Sequence, residues 1–230
     1  MVDFTYFGKM FGRLLERATY TVGISLAAIA ISTILAILLT MIKVKRVPAA
    51  NWIVNVYLSF FRSTPGLIHI LLIYYGLPLL LKPLGIVLDA SGKTFYAIAA
   101  LSFSNAACMT EILRPAYLSI DRGQHEAALS IGLNSLQKEC RIILPQVMRV
   151  AFPAMGNTFI ELIKDTSILF VIGVTDVMGE AKNIIANSLG TRKVEVYIAA
   201  GLIYLIITTI GYWGNQYLEA RCRKDGVKVK

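Results

Sequence analysis

Charge is scarce in this chain of 230 residues: Asp, Glu, Lys and Arg make up 16% of it, against about 25% in an ordinary soluble domain. With 56% hydrophobic residues and a mean hydropathy of +0.64, that scarcity excludes a water-soluble globule. Cysteine is nearly absent too. Cys108, Cys140 and Cys222 stand far apart, with no CxxC pair and no Cys/His spacing, so neither a disulfide framework nor a structural zinc site is expected and all three thiols are read as unpaired. The sequence also lacks a GxxxxGK[ST] phosphate loop, an HExxH helix and any recognisable serine, histidine and acid set, which removes ATP hydrolysis and the common hydrolytic chemistries from this polypeptide. The expectation is a non-enzyme with no cofactor and no metal of its own. A net charge of +9 is accounted for by an anionic membrane surface, and no basic-aromatic motif calls for nucleic acid.

Long apolar runs are what the chain does have. Residues 20–42 and 196–218 each contain 23 positions without one charged side chain, and about 20 apolar helical residues cross a hydrocarbon core of about 30 Å. Further spans are drawn over 66–81, 94–113 and 152–174, giving an all-α membrane protein with five crossings. A short helix over 52–61 precedes the second span at the cytoplasmic boundary, and "RSTPG" at 62–66 breaks it, because Pro65 has no N–H to donate. The first 18 residues mix polar and aromatic side chains and the apolar run behind them is too long for a signal core, so the first helix is expected to remain. The organisation is an outer segment 1–19, a membrane domain 20–218 and a basic tail 219–230.

Five crossings place the termini on opposite sides. With the N-terminus outside, thirteen Lys and Arg fall in cytoplasmic segments and eight in outer ones, the direction that retained positive charge favours. The loop 114–151 and the tail are then cytoplasmic. This loop is long but not featureless. In "EAALSIGLNSLQKECRIILPQ", 126–146, Glu126, Ala127, Ala128 and Leu129 are strong helix formers, and Gly132 suits a left-handed helix-closing residue. Asn134 with Gln137 can cap a second helix, which Pro145 is expected to limit. The small Ala127 and Ala128 would let another surface approach closely, and Leu129, Leu133, Ile142 and Leu144 supply apolar contact. A docked cytoplasmic partner is expected.

The fourth span carries Glu161, Lys164 and Asp165, each costly in lipid by about 2.5–3.5 kcal/mol on insertion scales. At 100° per residue Thr158, Glu161 and Asp165 form one stripe, with Lys164 on the adjoining side. Facing a watery pathway, two carboxylates would stabilise a cationic solute, while Asn105 or Thr110 on the third span, beside Glu111, could bond a carboxylate of the same solute. The other reading is an internal network in which Lys164 pairs with Glu161 or Asp165 and Arg114 with Glu111. His69 is read as hydrogen-bonded packing.

Seven positions carry a resemblance. Glu126, Ala127, Ala128, Gly132, Ile142, Leu144 and Pro145 match without a gap the EAA loop of permease subunits of bacterial ABC importers. "FFRSTPGLIHILLIYYGLP", "SFSNAACMTEILRPAYLSIDRGQHEAA" and "LPQVMRVAFPAMGNTFIELIKDTSIL" resemble the polar amino acid branch of that family, over roughly 20–218. The resemblance implies the type I ABC importer permease core with five transmembrane helices and a cytoplasmic EAA coupling-helix pair. It further implies a cytoplasmic ATPase that binds ATP and Mg, a second permease copy or close relative, and an extracellular or periplasmic solute-binding protein, all at the bacterial inner membrane. The implied cargo is a polar, basic or cystine-like amino acid. Glu161 departs from the apolar or small residue usual at its place. An ion-coupled secondary transporter using Glu161, Lys164 and Asp165 is the rival reading, although the inverted repeats and broken helices it favours are not evident.

Overall fold

The structure is a computed structural model that describes residues 4–45, 47–86 and 92–224. Helix α1, Phe4–Lys45, runs 42 residues, about 63 Å at 1.5 Å per residue, so it crosses the hydrocarbon and continues well beyond it. Its hydroxyls do not oppose the apolar setting. Thr21, Ser25 and Thr33 each donate to the carbonyl four residues back, Arg17, Thr21 and Ile29 respectively, which satisfies the group inside its own helix. Lys43 and Lys45 complement the dipole of the last turn.

Helix α2, Pro48–Ser63, begins on a proline at its first position and stops where Thr64 is extended ahead of Pro65, as the "STP" step requires. It does not lie apart from the bundle: Leu58 packs with Ala107 and the Tyr57 hydroxyl donates to the Phe103 carbonyl. Chain direction then resumes through α3, Gly66–Leu71, a π-turn at Leu72–Gly76, and α4, Leu77–Leu81.

Helix α5, Lys93–Leu118, runs alongside α1 in the same direction, with Tyr20 bonded to Thr94 and Asn105 to Ser32. The contact is close because the facing residues are small: Ala28, Ala97, Ala100 and Ala106 are all essentially buried. Between the α5 and α8 crossings come α6, Arg122–Ser130, and α7, Ser135–Lys138. A π-turn at Glu139–Ile143 leads without a break into α8, Leu144–Asp165. Pro145 therefore does not end the second loop helix. It stands at the start of α8, and the wider i→i+5 turn, with Leu144 N bonded to Glu139 O, accommodates a residue that cannot donate to an i−4 carbonyl.

Past Asp165 the chain tightens into a 3₁₀ segment, Thr166–Ile172, closed by Gly173 at φ 76°. Helix α9, Val177–Asn187, and helix α10, Lys193–Lys224, complete the chain. Among the described residues four stretches are long and apolar enough to cross a membrane, Tyr6–Lys45, Gly66–Leu84, Lys93–Leu118 and Lys193–Arg221. The fifth crossing, α8, is less apolar because it carries the ionisable stripe, and it packs against both α5 and α10.

Helix α9 covers the outer ends of α1 and α10 and is held by a buried polar knot. Asp176, fully buried, caps α9 by accepting from Gly179 N at 2.9 Å and also accepts from the Tyr204 hydroxyl at 3.1 Å. Thr21 accepts from Val177 N at 3.2 Å, and Arg13 pairs with Glu180. Met10, Leu14, Val177, Ala181, Val196 and Ile203 fill the space beneath. A Cβ on Gly179 would lie 2.1 Å from the Val174 carbonyl oxygen, a backbone atom that cannot turn aside, whereas one on Gly23 meets nothing within 4 Å. Gly179→Ala should therefore destabilise the detergent-solubilised protein by about 1–3 kcal/mol and lower its thermal midpoint, with Gly23→Ala close to wild type; equal midpoints for the two variants would contradict this packing.

Candidate functional site

The charged stripe of α8 and the middle of α5 enclose one cavity. Its volume is about 70 Å³, and Ser104, Asn105 and Cys108 line it from α5, with Thr158, Glu161 and Asp165 from α8. Four of the residues singled out in the sequence, Asn105, Thr158, Glu161 and Asp165, are thus brought together. Thr110 is not among them. It lies about 140° around the helix from Asn105, is buried, and donates to the Ala106 carbonyl. One amide hydrogen of Asn105 is committed to Ser32 Oγ at 2.9 Å, and Thr158 donates to Ala154 O. Glu161 and Asp165 are exposed on this chain.

The internal ion-pair network is not formed as expected. Glu111 faces Lys43 at 3.6 Å and Arg62 at 3.8 Å rather than Arg114, and Lys164 makes no ion pair among the described residues. Lys164 stands on the adjoining side of the stripe, about 60° around the helix from Glu161, exposed and within electrostatic reach of Asp165 but not in ion-pair contact with it. Glu161 and Asp165 make no ion pair among the described residues, while Arg62, Glu161 and Asp165 all lie within electrostatic reach of Cys108.

His69 is packed as the sequence suggests, buried between Phe60 and Phe61, with Nε2 at 2.6 Å from Thr64 Oγ1 and Nδ1 at 3.0 Å from Ser104 Oγ. Through Ser104 it joins the break after α2 to the cavity wall, a link no sequence signal revealed.

Asn55, Ser59 and Arg62 lie on one face of α2 and are exposed, as are Glu161, Lys164 and Asp165 on α8, Arg62 and the two carboxylates converging electrostatically on Cys108; Trp52, Asn55, Val56, Ser59 and Phe60 outline a shallow depression on α2.

At the far end of the bundle the α6–α7 turn forms a compact knob. Gly132 adopts φ 83°, the left-handed value that glycine alone takes without cost, and Asn134 and Gln137 form a reciprocal capping box. The knob is fastened to α5: Tyr117 donates to both carboxylate oxygens of Glu139 at 3.1 Å and stacks against His125. The two alanines face different ways. Ala127 is exposed but Ala128 is buried in the chain's own packing, as neighbours 100° apart on a helix must be. Leu133, Ile142 and Leu144 are half-buried, and Glu126 and Pro145 exposed. The largest apolar surfaces at the tip belong to Leu129, 52% exposed, Ile131, 74%, and Leu136, 72%. The last two were not foreseen, since the seven-position pattern leaves them unspecified; their place beside Gly132 was the available signal.

The family of binding-protein-dependent transport system inner membrane components matches residues 28–224. The L-cystine transport system permease protein TcyL of Bacillus subtilis is 37% identical over 196 residues, covering 85% of this chain and 81% of that protein. The arginine transport system permease protein ArtQ of Bacillus subtilis is 36% identical over 212 residues, 92% and 93% of the two chains. Among solved structures, an amino acid ABC transporter crystallised with histidines superposes with a TM-score of 0.78 at 27% identity, over 96% of this chain and 99% of that one. The methionine ABC transporter MetNI, inward facing, shares the fold with a TM-score of 0.67 at 16% identity.

Proposed function

Because the chain belongs to the binding-protein-dependent transport system inner membrane components, in their amino acid permease branch, we propose that it conducts an amino acid bearing extra positive charge along the Glu161 and Asp165 face. Its setting is the bacterial inner membrane, crossed several times, and its role is that of a transport subunit. One observation carries the reading: two carboxylates that make no ion pair among the described residues stand on a cavity wall of a membrane-crossing helix. Such groups are tolerated only against water, a cation or another protein. A solute ammonium group supplies the missing charge, and Ser104 and Asn105 offer hydrogen bonds to its carboxylate. A cavity of about 70 Å³ is smaller than an amino acid, so in this reading the site is completed by a second permease copy or a close relative placed against α2 and α8. The relatives give no support to an ion-coupled secondary mechanism.

Energy enters from outside the chain. In this reading a partner ATPase seats the α6–α7 knob, with Leu129, Ile131 and Leu136 entering its surface and Glu126, Ala127, Gly132, Ile142, Leu144 and Pro145 shaping the turn. A solute-binding protein delivers the cargo on the opposite side. The continuous path from α7 through the π-turn into α8 lets displacement of the knob reach Glu161 and Asp165 without an intervening loop.

Glu161→Gln keeps the shape and removes one charge. In vesicles carrying the complete transporter, uptake of a cationic amino acid should fall relative to a neutral one by about 5- to 150-fold, the equivalent of about 1–3 kcal/mol for a contact to a charged group. Equal loss for both solutes would refute the charge-selective reading. At the knob, Gly132→Val places a β-branched residue at φ 83°, at a cost of about 1 kcal/mol or more. Co-purification of the ATPase should drop while membrane insertion of the permease is unchanged; undiminished co-purification would separate the turn from docking.

A further inference from the structure

On the side of α8 opposite the carboxylates lies a second and larger hollow, about 510 Å³, floored by Ile29, Thr33 and Met109 and walled by α8 and α10. Phe152, Gly156 and Phe159 form the α8 wall, and Gly211, Gly214 and Leu218 the α10 wall. Glycine opens the α10 side. A Cβ on Gly214 would meet nothing within 4 Å, whereas one on Gly156 would lie 1.9 Å from Asn215 Oδ1, so the two walls touch at Gly156 and Asn215 and stand open beside Gly214. Polar groups are few: Thr33 is bonded to Ile29 O, and Asn215 donates to Pro153 O at 3.2 Å.

Two features say what fills it. The lining on α8 extends from Met148 to Phe159, about 17 Å at 1.5 Å per residue, close to half of a 30 Å hydrocarbon core and so to the depth of one leaflet. The end nearest the α6–α7 knob is marked by charge. Arg149 continues the 152–156 stripe by one turn and Arg221 continues the 214–218 stripe, both are exposed, and neither makes an ion pair among the described residues. Arg221 lies over the Tyr217 ring, and Tyr217 is 61% exposed, as aromatic side chains are at a headgroup boundary. An apolar slot one leaflet deep under two unpaired guanidinium groups fits a phospholipid, not a peptide helix, whose polar backbone ends and diameter of about 10 Å need a wider seat.

We propose that this groove binds one acyl chain of an anionic phospholipid from the leaflet on the knob side, with Arg149 and Arg221 holding the phosphate. The ligand would brace α8 against α10 from behind the carboxylate face. A variant with Trp52→Phe, Trp213→Phe and Phe152→Trp places one reporter in the groove. In vesicles, its fluorescence should be quenched by acyl-brominated phosphatidylglycerol at several-fold lower mole fraction than by acyl-brominated phosphatidylcholine. Adding Arg149→Gln with Arg221→Gln should abolish the preference, and Gly214→Leu, which fills the slot, should weaken quenching by both lipids. The arginine pair is exposed, so its loss leaves folding intact and the test readable. Equal quenching by the two lipids in the reporter protein, or a preference that survives loss of both arginines, would overturn the proposal.

Discussion

Hydrocarbon offers no hydrogen bonds, and nearly everything in this molecule follows from that constraint. Backbone groups are satisfied within helices, and most hydroxyls return to the carbonyls of their own helix, as Thr21, Ser25, Thr33, Thr110 and Thr158 do. Where side chains cannot be satisfied internally they gather. Asn55, Ser59 and Arg62 on α2 and Glu161, Lys164 and Asp165 on α8 stand exposed, while the groove between α8 and α10 is almost wholly apolar. Helix α8 therefore separates a polar face from an almost wholly apolar one, and its lower hydropathy is the consequence of carrying both.

The same helix joins the two ends of the mechanism. It begins directly from the π-turn of the knob and ends at Asp165 on the cavity wall. A π-turn lets Pro145 sit in an unbroken helical path, so the proline marks a hydrogen-bond shift in place of a helix end. At the other end of the bundle, the Asp176 knot ties α9 to α1 and α10. His69 connects the break after α2 to Ser104 in the same cavity wall, so two elements that interrupt regular helix both terminate at this site.

Much of this was legible in the sequence because hydrophobic length and turn chemistry are local. Gly132 at φ 83°, the Asn134 and Gln137 capping box and the "STP" break all appear where their residues require. Helical phase alone placed Thr158, Glu161 and Asp165 on one face. What was not legible depended on tertiary packing. Helix α9 has no long apolar run to announce it, and its start depends on Asp176, whose carboxylate is held by Tyr204 on a later helix. The choice of Lys43 and Arg62, not Arg114, as partners of Glu111 required knowing that α1 and α2 converge there. Ala128 turned inward because α6 packs on its own bundle, which residue smallness cannot reveal.

The central claim is that the polar side of α2 and α8 meets a second permease subunit around the solute path instead of meeting lipid. Its most direct measurement is cross-linking in native membranes after removal of the native cysteines, with single cysteines at Ser59 on α2 and at Tyr212 on the far side of α10. Mild oxidation should join two permease chains through Cys introduced at 59 and leave the 212 variant monomeric on a non-reducing gel. Linkage through 212 with none through 59 would place the partner on the lipid-accepting side and contradict the account.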